Sequence, residues 1–175
     1  MKILLFNGST GSGAHSTPDR IINFLNEKIT ALGAEAVVYT IDDNEMPIFS
    51  PAKEPTQACY DMVKIFREAD AHIWLTPLYH GGMTGAMKNC LDWLELSAKE
   101  TDPYLTDKKI GLVCWAGGSQ AMQGINNMDA VAKALRGWTL PFSVPALWNS
   151  LFTEDKELTE EYKSKFQLMI EVLLK

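Results

Sequence analysis

Hydrophobic and polar positions along the chain switch repeatedly between two patterns. Ile3 to Phe6 is an uninterrupted apolar run that stops at Asn7-Gly8, as expected of a strand buried on both faces. Pro18 to Leu32 carries Ile21, Ile22, Leu25 and Ile29 at helical spacing and closes at Gly33. Glu35 to Ile41 returns to strand character, and Asp42 to Pro55 is a loop rich in Asp, Asn and Pro. Thr56 to Asp70 predicts a helix with Cys59, Val63 and Phe66 along one side. Ala71 to Thr76 reads as a third strand stopped by Pro77, and Thr84 to Lys99 as a helix with Met87, Leu91 and Leu94 on one face. Lys109 to Trp115 is a fourth strand stopped by Gly117-Gly118, and Met128 to Arg136 lies in another helix. Phe142 to Val144 fits a last short strand, and Thr159 to Leu174 a final helix.

Strands alternating with helices imply a parallel sheet covered on both faces, because right-handed crossovers place the helices there. A length of 175 residues suits one domain spanning residues 1–175. Five strands in this order fit an α/β flavodoxin-like three-layer sandwich, with sheet order 2-1-3-4-5. In such sheets a ligand sits beyond the carboxyl ends of the strands, where the strand order reverses. The loops after strands one, three and four therefore carry the expectation of a site.

All three loops are unusual. The first, Gly8 to Thr17, offers hydroxyls at Ser9, Thr10, Ser12, Ser16 and Thr17 among glycines that let a ligand approach the backbone. Pro18 suits the first turn of the following helix and leaves Ser16 or Thr17 as its N-cap. Amides at that helix start would favour a phosphate. The loop has no lysine, and its spacing matches neither a P-loop nor the dinucleotide GxGxxG pattern. The second loop, Pro77 to Thr84, presents Tyr79 as a flat ring for an aromatic cofactor beside Gly81 and Gly82. Thr84 is placed to cap the next helix. The third loop places Gly117, Gly118 and Ser119 after strand four.

Composition narrows the partners. Hydrophobic residues make up 46% and charged residues 22%, an ordinary globular balance, and a formal charge of −6 argues against nucleic acid. Cys59, Cys90 and Cys114 form no CxxC pair and read as reduced, buried thiols. No apolar run approaches the roughly 20 residues of a membrane span, and no signal peptide is evident, so the expectation is a cytoplasmic protein. His15, His72 and His80 are too scattered for a metal site. His72, inside strand three, reads as a core histidine.

The stretch Thr76 to Leu94 resembles the NADPH-dependent FMN reductases, flavodoxin-like proteins that typically carry T-P-E-Y-N-x-x-x-x-G-x-[LM]-K-N-x-[LI]-D-W-L. Thr76, Pro77, Tyr79, Gly85, Met87, Lys88, Asn89, Leu91, Asp92, Trp93 and Leu94 stand in register with it. The first loop is similar to the family's G-S-x-R-x-x-S-x-[NT] loop at Gly8, Ser9, Ser16 and Thr17, but lacks its Arg. His15 is the one nearby side chain expected to supply positive charge. The resemblance covers roughly residues 1 to 145. It implies bound FMN, with Ser9, Thr10, His15, Ser16 and Thr17 at the phosphate. Pro77, Leu78, Tyr79, His80, Gly81, Gly117, Gly118 and Ser119 would lie at the ring. Leu78 and His80 replace the family's Glu and Asn, which bears on acceptor and nicotinamide specificity.

The activity so implied is transfer of electrons from NADPH or NADH through FMN to a small acceptor such as free flavin, a quinone, an azo compound or a metal ion. The flavin supplies the chemistry, so no catalytic side chain is assigned. The alternatives are a non-enzymatic FMN electron carrier and a cofactor-free interaction module. A carrier of the flavodoxin type usually has a strongly acidic rim, whereas the acidic residues here are spread out. Met83, Met87, Leu91, Trp93 and Leu94 crowd the helix from Thr84 to Lys99 with more apolar surface than one stripe requires, which predicts a homodimer or tetramer. Packing of Trp93 on the C-terminal helix is the competing expectation.

Overall fold

A computed structural model describes residues 1–11, 13–41 and 46–175. The elements are β1 (Lys2–Asn7), α1 (Thr17–Ala31), β2 (Glu35–Thr40), α2 (Gln57–Glu68), β3 (Ala71–Pro77) and α3 (Gly85–Asp92), which continues as a 3₁₀ turn over Trp93–Ser97. Then follow β4 (Lys109–Ala116), α4 (Ala121–Ala134), β5 (Trp138–Thr139), β6 (Val144–Leu147), α5 (Trp148–Leu151) and α6 (Glu160–Leu173). The strands run in the order β2-β1-β3-β4-β5, with β6 also paired to β4, and every pairing is parallel. This is the expected flavodoxin-like order.

The uninterrupted apolar runs became the central strands because both of their faces are covered. Ile3, Leu4, Leu5 and Phe6 are fully buried, as are Ile73, Trp74 and Leu75 in β3. Burying one such side chain contributes about 1.5–3 kcal/mol. On one face Phe6, Phe66, Trp74, Met87 and Leu91 pack with α2, α3 and α4. On the other, Ile21, Leu25 and Ile29 of α1 meet Phe166, Met169 and Ile170 of α6 over Ile3, Leu5 and Ile73. Gly33 closes α1 at φ +79°, a conformation that favours glycine.

The fifth strand is corrected by the structure. The expected strand at Phe142 to Val144 overlaps the observed one only at Val144. Two short strands share the edge of β4: β5 beside Lys109 and Ile110, and β6 beside Val113 to Ala116. Leu140 N–H still donates to Ile110 O at 2.9 Å, but Pro141 has no N–H to continue the ladder. Pro145 is tolerated within β6 because that strand lies at the edge. The helix anticipated around Met128 to Arg136 begins earlier, at Ala121.

The apolar crowding on α3 has an explanation within one chain. Met83, Met87, Leu91, Trp93 and Leu94 are all buried. Trp93 packs not on the C-terminal helix but edge-on against Phe49, with ring centroids 5.2 Å apart. Its Nε1 donates to Pro47 O at 2.8 Å. Asn89 holds the same segment twice: Nδ2 donates to Pro47 O and Oδ1 accepts from Phe49 N. Lys88 and Asp92 pair along the exposed side. The Lys-Asn-x-x-Asp-Trp spacing therefore pins the β2–α2 loop, and the surface that suggested a second copy is already covered. No helix among the described residues is long and apolar enough to cross a membrane.

Candidate functional site

The carboxyl ends of β1, β3 and β4 lie side by side, since Asn7 pairs with Leu75 and Pro77 with Trp115. Two of the loops that leave these ends, the first and the second, are tied together by one residue the sequence suggested only as a helix cap. Thr84 does cap α3, its hydroxyl oxygen accepting from Met87 N at 3.0 Å. The same hydroxyl donates to Gly8 O in the first loop, and Thr84 N–H donates to Thr76 Oγ1 at the end of β3. Gly8 N–H donates in turn to Leu75 O. The backbone at Gly8 approaches α3 so closely that a Cβ there would fall 2.5 Å from Met87 Sδ. First loop and α3 are thus assembled as one piece.

The first loop keeps donors unspent. Ser9 is buried, with its N–H on Asn7 Oδ1 at 3.0 Å. Ser16 is the N-cap of α1, its hydroxyl accepting from Asp19 N at 3.4 Å. The Asp19 carboxylate reaches back to His15 N–H at 2.7 Å, much as in a capping box. Gly13 and Ser16 amides bond within the loop, to Gly11 O and Gly13 O. Among the described residues no acceptor engages the amides of Thr10, Gly11, Ala14 or Thr17. Thr10 and His15 are exposed, and Thr17 is half-buried. Ser12 lies outside the described residues.

The expectation that only His15 brings positive charge to this loop is corrected. Arg20, one turn into α1, donates from Nε to His15 O at 3.0 Å and from Nη1 to Lys156 O at 2.7 Å. The structure therefore brings Arg20 and the segment around Lys156 to the loop. Nothing in the local sequence signalled the second of these bonds, which spans 136 positions.

The second loop is a tight hairpin. Tyr79 and Gly82 exchange two backbone hydrogen bonds of 3.1 Å, and His80 and Gly81 both have positive φ, as a type I′ turn requires. The turn projects Tyr79, which is 60% exposed, while Pro77, at the end of β3, is buried. Leu78 N–H donates to Trp115 O, which fixes the loop to the end of β4. Asn127 of α4, not singled out in the sequence, accepts from Met83 N through Oδ1 at 3.2 Å and steadies the far side of the hairpin. Gly117, Gly118 and Ser119 are exposed, with nothing within 4 Å of a Cβ placed on either glycine.

This arrangement fits a ligand with an anionic end and a flat ring. Unspent amides and hydroxyls at a helix start suit the anion. An exposed tyrosine and two open glycine loops leave room for the ring. Among the described residues no group of three or more His, Cys, Asp or Glu is placed to hold a metal ion. None of the three cysteines is in a disulfide, all three are buried, and burial pushes the Cys114 thiol up to about 12. A thiol so protonated is a poor nucleophile.

The family model described as NADPH-dependent FMN reductase matches residues 1–148. The NADPH-dependent FMN reductase ArsH of Acidithiobacillus ferrooxidans is 28% identical over 141 residues, covering 80% of this chain and 57% of that protein. Its counterpart in Rhizobium meliloti is 30% identical over 62% of this chain and 44% of its own length. The chain thus spans about half the length of these two relatives. The NADPH azoreductase of Bacillus sp. strain OY1-2 is 26% identical, covering 93% of this chain and 85% of that one. Among solved structures, the flavoenzyme FerB, an NAD(P)H:(acceptor) oxidoreductase of Paracoccus denitrificans, superposes with a TM-score of 0.75 at 15% identity, over 99% of this chain and 94% of that one. That likeness is one of fold. With the family model matched over most of its length, the chain belongs to the NADPH-dependent FMN reductase family.

Proposed function

We propose that the chain binds FMN across the carboxyl edge of the sheet and passes electrons from NAD(P)H to a small acceptor in the cytoplasm. The observation that carries this reading is the junction at Thr84, which fastens a loop of unspent anion donors to the element that follows the Tyr79 hairpin. Bound FMN would supply the redox chemistry, taking a hydride from the nicotinamide and returning electrons to the acceptor. The chain's own residues bind and orient. Ser9, Ser16, Thr17 and the loop amides would hold the phosphate. Pro77, Leu78 and the hairpin from Tyr79 to Gly81 would set the plane of the ring, with Gly117, Gly118 and Ser119 leaving space beside it. No side chain needs to move a proton, and the open space at Tyr79, Gly117 and Gly118 would let donor and acceptor use one position in turn.

Reconstitution with FMN followed by gel filtration should give about one flavin per chain. Anaerobic NADPH should then bleach the bound flavin within minutes, and steady-state kinetics should give parallel double-reciprocal lines. A chain that takes up no flavin removes this reading. Flavin that is bound but not bleached by NADPH or NADH makes the protein an electron carrier instead.

Thr84→Val tests the junction itself. It keeps the shape but strands Met87 N and Gly8 O, each worth about 1–3 kcal/mol when left without a partner. We expect a clear loss of stability in urea, and FMN affinity lowered by about 10-fold or more as the first loop loosens from α3. Unchanged FMN affinity in a folded variant would show that the two loops are positioned independently.

A further inference from the structure

Beside the first loop lies a cavity of about 590 Å³ whose walls include His15, Thr17, Arg20, Trp148, Phe152 and Lys156. It is built from two distant parts of the chain. Arg20 bridges them through its bonds to His15 O and Lys156 O, and its guanidinium lies 6.0 Å from the Phe152 ring centroid. Trp148, which follows β6, donates from Nε1 to Thr17 Oγ1 at 3.3 Å. That bond fixes one edge of the indole, yet the side chain remains 53% exposed. Lys156 stands at φ +63° in a turn closed by Thr153 N to Glu157 O and Lys156 N to Thr153 O.

Among the described residues, Asp19, Glu27 and Glu157 line an adjoining pocket with Arg20 and Lys156 but leave both cations outside any ion pair. The nearest acidic side chain on α1, Asp19, is spent on His15 N–H and on Asn23 Nδ2. An anchored indole with an open surface, a guanidinium held in place and a free ammonium together suit an aromatic base that carries a phosphate.

Thr17 and His15 belong both to this cavity and to the loop assigned above to the flavin phosphate. A nicotinamide dinucleotide whose reactive ring lies at the flavin must place its adenylate end elsewhere along the same edge. We propose that this cavity takes the adenosine 2′-phosphate of NADPH, with the adenine on Trp148 and the phosphate at Arg20 and Lys156. The assignment rests on the flavin reading above, and makes the chain selective for NADPH over NADH.

The test is calorimetric titration of the FMN-loaded protein with 2′,5′-ADP and with 5′-ADP. One charge-assisted hydrogen bond to the 2′-phosphate should make 2′,5′-ADP bind about 10- to 100-fold more tightly. Lys156→Gln should remove most of that difference while FMN affinity stays as it was, and Lys156→Arg should restore it. Trp148→Leu should weaken both adenylates alike. Equal affinity for the two adenylates overturns the proposal, as does a preference that Lys156→Gln leaves intact. If Lys156→Gln loosens FMN instead, the cavity belongs to the flavin phosphate and the proposal also falls. Failure of the flavin reading shows separately, as a chain that binds no FMN.

Discussion

Riboflavin should bind about 2 to 5 orders of magnitude more weakly than FMN, because the first loop is built around an anion. Hydrogen bonds to a charged group are worth roughly 1.5–3 kcal/mol each, and about 1.4 kcal/mol is a factor of ten. Two or three bonds from the amides of Thr10, Gly11, Ala14 and Thr17, unengaged among the described residues, or from the hydroxyls of Ser16 and Thr17, reach that range. The start of α1 adds its dipole. Asp19 works against this, since it places a carboxylate in the same first turn. Its two oxygens already serve His15 N–H and Asn23 Nδ2, which limits the repulsion. FAD, whose phosphate is already esterified, should also bind less well than FMN. Fluorescence titration with the three flavins measures all of this. Equal affinity for riboflavin and FMN would remove the phosphate assignment from this loop.

What could be read in the sequence, and what could not, divides by distance along the chain. β1, β3 and β4 were legible because burial on both faces leaves a continuous apolar run, as at Ile3 to Phe6. The caps at Ser16 and Thr84 were legible because capping is local chemistry, made between residues three apart. The loops of the candidate site followed from the strand order, which the alternation of elements implies. The bonds that assemble those loops did not follow. Thr84 meets Gly8 across 76 positions, Trp93 meets Pro47 across 46, and Arg20 meets Lys156 across 136. A helical pattern shows that Trp93 is apolar and crowded. It does not show that the β2–α2 loop supplies the cover, which is why a second copy was a reasonable expectation. The divided edge at β5 and β6 was illegible for a related reason. Trp138–Thr139 and Val144–Leu147 are too short to show a period and take their strand form from pairing with β4.

The fold should lose stability in mild acid through His72, well above the pH at which carboxylates titrate. His72 is fully buried in β3 against Phe66, with ring centroids 5.7 Å apart. Its Nδ1 accepts from Trp74 Nε1 at 3.5 Å, while Nε2 is buried and, among the described residues, meets no group in hydrogen-bond geometry. Burial holds the ring down to about 3, and Lys108 pushes in the same direction. The Phe66 backbone acts the other way and is outweighed. The folded chain therefore keeps His72 neutral, whereas the unfolded chain protonates it near pH 6.5. Below that value the unfolded state holds one more proton than the folded state, so stability falls as pH falls and is unaffected above it. At about 1.4 kcal/mol per pH unit, roughly 2 kcal/mol is gone by pH 5, a large share of the 5–15 kcal/mol that stabilises a typical domain. The decline continues until the pH approaches the folded value near 3. His72→Leu removes the titrating group and leaves Trp74 Nε1 without its acceptor, a loss that does not vary with pH. Urea unfolding of both proteins between pH 7.5 and 5 should show wild type losing about 2 kcal/mol relative to the variant. Because every carboxylate is shared by the two chains, their difference isolates the histidine. Parallel profiles would mean that the folded chain protonates His72 as readily as the unfolded one does.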